Sequence, residues 1–75
     1  MRQSIAAYAL SENIVRQIDA PGFGTIRGRR DWRCMVASHA LSEGCELVEV
    51  GSDSPLSETE ACDAIRGGRV VEVVS

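Results

Sequence analysis

Apolar and polar positions alternate most clearly in the last third of the chain. Residues 45–50, CELVEV, alternate between the two sides of an extended chain, and this period of two predicts a strand. Residues 69–74, RVVEVV, predict a second strand that is apolar on both sides. A strand of that kind is either covered on both faces or completes an interface.

The segment between these two strands carries the signals of a helix. Ser57 and Glu60 have the spacing of a capping box, and Leu56 can pack on Ala61 as a hydrophobic staple. The glycine pair at residues 67–68 is expected to end this helix. A strand, a helix and a strand of these lengths predict a right-handed parallel unit.

A second helix is predicted upstream, over residues 29–44. Asp31 is its candidate N-cap, and Gly44 closes it. Several side chains recur at helical spacing and predict the buried face. They are Trp32, Met35, Val36, His39 and Ala40.

The N-terminal region leaves an alternative open. Residues 13–19, NIVRQID, alternate like a strand, whereas residues 4–10, SIAAYAL, fit either the first strand of a hairpin or an Ala-rich helix ending at Asn13. The hairpin is favoured because one more strand widens the sheet. The sequence therefore predicts a single α+β domain over residues 1–75. Its predicted order is β-β-α-β-α-β, with two helices and a mixed sheet of roughly three to four strands, and the first segment a helix in the alternative.

Composition limits the classes of protein that fit. The chain of 75 residues is 44% hydrophobic but only 4% aromatic, so its core is expected to be thin. Self-association buries more apolar surface, and a homodimer is therefore favoured over a monomer. Three cysteines, an odd number, fit a reducing compartment. With no recognisable export signal or membrane-spanning stretch, the sequence predicts a cytoplasmic protein with no membrane partner.

Charge is distributed unevenly along the chain. The net charge is −3, all eight basic residues are arginine, and none of them lies between Arg33 and Arg66. Seven acidic residues lie in that interval: Glu43, Glu46, Glu49, Asp53, Glu58, Glu60 and Asp63. A surface of this sign predicts binding to a basic surface of a protein partner. The alternative interpretation is a solvated surface that keeps a small protein soluble.

An arginine cluster around Trp32 suggests a different partner. Its four members are Arg27, Arg29, Arg30 and Arg33. Arginine binds phosphate through two parallel hydrogen bonds, and an indole can stack on an unpaired base. The alternative function is therefore nucleic-acid binding through the segment Arg27–Arg33, although the net negative charge opposes it.

The glycines of residues 22–28 raise the question of a phosphate-binding loop. Gly22, Gly24 and Gly28 follow a predicted strand and precede a predicted helix. Their spacing, G-x-G-x-x-x-G, is not the dinucleotide-binding fingerprint, and the P-loop signature is absent from the sequence. A turn is the preferred interpretation, and no cofactor is predicted.

Metal and nucleophile chemistry are not predicted either. Cys34, His39, Cys45 and Cys62 would supply four zinc ligands, but the sequence has no C-x-x-C motif. Cys34 and His39 are five residues apart, which separates them around a helix. Cys45 or Cys62 can approach His39 only through the fold, and no third orienting residue is evident. The cysteines are therefore predicted to act as small hydrophobic residues.

Together these patterns predict a small non-enzymatic module that acts through a protein–protein interface. A short, acidic chain without catalytic residues also fits the general profile of phage or mobile-element proteins that inhibit host machinery. No metal, cofactor or catalytic residue is assigned.

Overall fold

The computed structural model of the chain describes residues 1–12, Ile14 and residues 31–75. Within these residues the chain forms three helices and three strands, which confirms the α+β prediction. In chain order the elements are β1 (Arg2–Ser4), α1 (Ile5–Ser11), α2 (Trp32–Ser42), β2 (Glu46–Glu49), α3 (Glu58–Arg66) and β3 (Val71–Val74).

The strands form an antiparallel sheet in the order β1-β3-β2. In the central strand, Val73 lies opposite Gln3 on one side and Leu47 on the other. The predicted parallel pairing of β2 with β3 is therefore wrong. Among the described strands, the sheet is antiparallel rather than mixed.

The connection between β2 and β3 explains why they are antiparallel. After β2 the chain turns at Gly51, whose φ is 86°, and runs back along the strand. There the Leu56 N–H donates to the Leu47 carbonyl oxygen at 2.7 Å. Helix α3 then carries the chain forward by about 13 Å, the length of a short strand. As a result β3 begins beside the end of β2, with Val71 opposite Glu49.

Helix α3 begins and ends where the sequence predicts. The Ser57 hydroxyl accepts from the Glu60 N–H at 3.2 Å, and the Glu60 carboxylate accepts from the Ser57 N–H at 3.0 Å. The hydrogen bond that the Ser57 N–H donates to the Glu60 carboxylate, followed by the effect of the Ser57 hydroxyl, lowers the pKa of Glu60. The helix ends at Gly67, and Gly68 adopts a φ of 80°, which favours glycine.

The N-terminal segment is mainly helical, so the favoured hairpin is wrong and the alternative helix is correct for α1. The Ser4 hydroxyl accepts from the Ala7 N–H at 3.2 Å and caps this helix. Ile5, Tyr8 and Ala9 are buried at intervals of one helical turn, which a strand would not produce.

The structure describes the end of α1 but only one residue of the segment that follows it. The helix has its C-cap at Glu12 rather than at the predicted Asn13. The strand predicted over residues 13–19 lies outside the described residues except for Ile14, whose side chain is fully buried. The glycines of residues 22–28 also lie outside them.

Helix α2 buries Val36 and Ala40 as predicted, but the rest of its buried face differs from the prediction. Its fully enclosed side chains are Cys34, Val36, Ala37 and Ala40. The predicted Trp32, Met35 and His39 are only half-buried. The reason is that α2 packs against α1, α3 and β2 at once, so that a broad band of small residues is covered instead of one stripe. Asp31 occupies the N-cap, but its side chain makes no capping hydrogen bond.

The core lies between the helices and one face of the sheet. Its largest fully buried side chains are Ile14, Val36, Leu47 and Val73. Alanines from all three described helices also belong to this cluster, which lets the helices approach one another closely. No described helix is long and apolar enough to cross a membrane.

Candidate functional site

Helices α2 and α3 lie side by side and run in opposite directions. The Ser38 hydroxyl donates to the Glu58 carboxylate at 2.8 Å, and the Cys34 thiol lies 3.9 Å from the Cys62 carbonyl oxygen. The end of α2 is therefore beside the start of α3, and the start of α2 is beside the end of α3. This arrangement separates the charges. We call Glu43, Glu46, Glu58 and Glu60 the acidic end, and Arg33, Arg66 and Arg69 the basic end.

The structure divides the seven predicted acidic residues into two groups. Glu49 pairs with Arg69 at 3.4 Å, and Asp53 pairs with Arg2 at 3.2 Å. The sequence does not predict these two ion pairs, because the partners come from distant parts of the chain. Within the described residues, the other five make no ion pair with an arginine. They are Glu43, Glu46, Glu58, Glu60 and Asp63.

Two carboxylates of the acidic end are held in place by hydrogen bonds. Glu58 accepts from Ser38, and Glu60 belongs to the capping box with Ser57. Both lie in the first turn of α3, where the helix dipole favours negative charge. Glu43 and Glu46 are exposed after the end of α2 and at the start of β2.

Asp63 lies between the acidic end and the basic end, on a cavity of about 430 Å³ that Glu58 and Arg66 also line. It is exposed in the second half of α3, one turn before Arg66. Of the seven predicted acidic residues, Glu49 and Asp53 therefore differ from the other five in having an arginine partner within the described residues.

Arg2 lies across the outer face of the sheet, on the side away from the core. Its Nε donates to Glu72 Oε1 at 2.6 Å, and Nη1 contacts Asp53. Its Nη2 donates to the backbone oxygens of Glu49 at 3.2 Å and Ser52 at 3.0 Å. The hydrogen bond to Glu72 is the main cause of the raised pKa of Arg2. This arginine holds the sheet and the turn after β2 together.

The predicted nucleic-acid segment is only partly described. Arg27, Arg29 and Arg30 lie outside the described residues, whereas Trp32 and Arg33 lie within them. The Arg33 guanidinium is 4.5 Å from the centre of the Trp32 ring, a cation–π distance. The indole is half-buried against the core, and one of its faces is covered by Arg33.

Arg66 and Arg69 join Arg33 at the basic end, although both lie more than thirty residues further along the chain. Arg33 and Ile65 line a cavity of about 310 Å³ together with Arg69. The same two residues line a cavity of about 560 Å³ together with Arg66. The antiparallel pairing of α2 and α3 brings these arginines together, and no local sequence pattern indicates it.

His39 and Cys45 lie on the same cavity, of about 300 Å³, with Tyr8 and Glu43. Glu43 Oε1 is 3.6 Å from His39 Nε2, so a third group does lie beside the imidazole. The i,i+4 spacing of these two residues in a helix was the signal for it. Burial, followed by the interaction with the neighbouring Cys45 thiol, raises the pKa of Tyr8 to about 12. The Tyr8 phenol, which lines this cavity with Cys45, therefore stays protonated near neutral pH.

The remaining cysteines meet between α2 and α3. Cys34 is buried and Cys62 is half-buried. Burial, followed by the hydrogen bond with the Cys34 thiol, raises the pKa of Cys62 to about 11. In the described part of the chain, no three His, Cys, Asp or Glu side chains are grouped so that they could hold a metal ion.

Comparisons with protein-family models, with curated proteins and with solved structures find no match to this chain.

Proposed function

We propose that this chain is a non-enzymatic binding module whose acidic end contacts a basic surface of a protein partner. The observation that carries the proposal is that some of the acidic residues are paired with arginines and others are not. Arg2 and Arg69 pair with Asp53 and Glu49, whereas the acidic end has no arginine partner among the described residues.

The fixed positions of two carboxylates support this function. Glu58 and Glu60 are fixed by hydrogen bonds to Ser38 and Ser57, so they lose little side-chain freedom when a partner binds. A concentration of one sign of charge at one end of the molecule also raises the rate of encounter with an oppositely charged surface.

The role that fits such a surface is that of an inhibitor or adaptor, because a small acidic protein can occupy a basic groove on a larger one. We propose a cytoplasmic location, which is supported by the odd number of cysteines. Self-association is also proposed. Val50 and Val70 are exposed and adjacent, since the Val50 N–H donates to the Val70 carbonyl oxygen at 3.1 Å, and a second copy would cover them.

A charge-reversal experiment tests the proposed function. Proteins retained by the wild-type chain from an extract of its source cells are purified, and their affinities are measured at several salt concentrations. The test variant is Glu43→Lys/Glu46→Lys. The matched control is Asp31→Lys/Asp53→Lys, which changes the net charge by the same amount outside the acidic end. Circular dichroism confirms that both variants fold.

The expected result is an affinity at least about tenfold weaker for the test variant, with a smaller effect in the control, because opposite charges across an interface are replaced by like charges. An unchanged affinity of the test variant, or an equal loss in both variants, would contradict a role for the acidic end.

A further inference from the structure

The basic end contains a concave surface that the acidic end does not use. Its two cavities, of about 310 and 560 Å³, share Arg33 and Ile65 and therefore adjoin along these side chains. We call this surface the arginine groove. Cavities of these sizes fall within the usual range for small-molecule sites.

Both charged and apolar groups line the arginine groove. Arg69 flanks the smaller cavity and Arg66 the larger one, with Arg33 between them. The apolar lining of the smaller cavity includes Ile5 and Val71. A ligand that matches this lining has an anionic part and a flat or apolar part.

The positive charge of the groove is only partly compensated. Asp31 lines the larger cavity, and Glu49 contacts Arg69 through Nε at 3.4 Å. The Arg33 guanidinium is stacked over Trp32, which fixes its plane. The described lining of the two cavities therefore contains three arginines and one carboxylate, that of Asp31. Arg66 also lines a third cavity, of about 430 Å³, with Glu58 and Asp63.

We propose that the arginine groove binds a nucleotide unit. Arginine forks contact the phosphate through paired hydrogen bonds, and the base lies on the apolar lining formed by Ile5, Ile65 and Val71. The nucleotide unit is either free or part of a single strand of nucleic acid. The described lining of the groove includes no carboxylate of the acidic end, so the proposal stands or falls independently of the proposed protein interface.

Trp32 gives the site its own reporter. It is the single tryptophan of the chain, and Arg33 lies over its ring. Adenosine triphosphate and an oligothymidylate of about 12 nucleotides are titrated against the full chain, with tryptophan fluorescence and calorimetry as parallel readouts. Inorganic tripolyphosphate is the control for attraction of anions alone.

Micromolar binding of either nucleotide probe, clearly tighter than binding of tripolyphosphate, is the expected result. Tighter binding of adenosine triphosphate would identify the ligand as a free nucleotide. Tighter binding of the oligothymidylate would identify it as single-stranded nucleic acid. Binding of neither probe, or equal binding of tripolyphosphate, would overturn the proposal.

Arginine variants locate the binding in the groove. Arg66→Gln/Arg69→Gln is expected to weaken binding at least about tenfold, and to lower the salt dependence for a strand by roughly 0.7 for each phosphate that the variant no longer neutralises. Arg66→Lys keeps the charge but removes the planar fork, and should have an intermediate effect. The control Ser54→Asp changes the charge in the exposed turn after β2, outside the described lining of both cavities, and should leave binding unchanged. Binding that survives the double arginine substitution would assign it elsewhere and overturn the site.

Discussion

Arg2 Nε lies 2.6 Å from Glu72 Oε1, and this contact joins the first strand of the chain to the last. The same guanidinium also bonds to Asp53 and to two backbone oxygens of the turn after β2. One side chain therefore connects β1, β3 and the turn that follows β2. Because Arg2 is paired with Glu72 and Asp53, it does not neutralise the acidic end.

Replacing Arg2 is expected to destabilise the fold, because Glu72 and the two carbonyl oxygens lose their donor. Arg2→Gln should lower the midpoint of urea unfolding, and Glu72→Gln should do so by a smaller amount. Asp53→Asn should have the smallest effect, since the Asp53 side chain is fully exposed. An Asp53→Asn effect as large as that of Arg2→Gln would contradict this ordering.

The capping box predicts the stability of α3. Ser57→Ala removes the hydroxyl that accepts from the Glu60 N–H, and should cost about 1 kcal/mol of unfolding free energy. Because the pKa of Glu60 is lowered in the fold, its contribution is present above its ordinary value of 4.5 and is lost as pH falls through the lowered value. An NMR titration should show a higher Glu60 pKa in the Ser57→Ala variant; an unchanged pKa would exclude the hydroxyl as a cause.

Two leucines provide a matched test of the core. Leu47 is fully buried, whereas Leu10 is 61% exposed. Leu47→Ala should cost roughly 2–5 kcal/mol, a large part of the stability of so small a domain. Leu10→Ala should change the stability by less than about 0.5 kcal/mol. Chemical unfolding of both variants measures the two changes in unfolding free energy. Similar decreases would contradict the burial of Leu47 in the core.

Tyr8 predicts how stability depends on alkaline pH. Its pKa is raised from 10.0 to about 12, so the folded state holds the phenolic proton more tightly than the unfolded state. The resulting stabilisation, at most about 3 kcal/mol, is complete below pH 10 and is lost as pH rises from 10 to 12. As Tyr8 is the single tyrosine, its ultraviolet absorbance reports the titration directly.

The control for this prediction is Tyr8→Phe, which should show a weaker loss of stability between pH 10 and pH 12. A midpoint near 10 in the folded protein would contradict the burial of the phenol and its contact with Cys45.

Local signals explain which parts of the fold could be predicted. The capping box and the glycine pair define α3 because a few neighbouring residues satisfy its ends. The antiparallel pairing of β2 and β3 could not be predicted, since it depends on the return of residues 50–57 along β2 rather than on helix or strand patterns. For residues 4–10 the sequence allows either a strand or a helix. The burial of Ile5, Tyr8 and Ala9 shows that the segment is mainly helical.

From the sequence, one can predict which acidic residues are candidates for the site but not how they pair in the fold. The sequence identifies seven acidic residues without an intervening base, but not that Arg2 and Arg69 reach two of them from opposite ends of the chain. Long-range pairing of this kind depends on the sheet register and has no local signature. The convergence of Arg33, Arg66 and Arg69 was missed for the same reason, because it follows from the packing of α2 against α3.

Chemical-shift mapping with a purified protein partner tests the central claim most directly. Amide signals of the isotopically labelled chain are followed as the partner is added at low salt. The account predicts the largest shifts at Glu43, Glu46, Glu58 and Glu60, with little change at Arg66 and Arg69. Shifts concentrated at the basic end, with the acidic end unchanged, would contradict it.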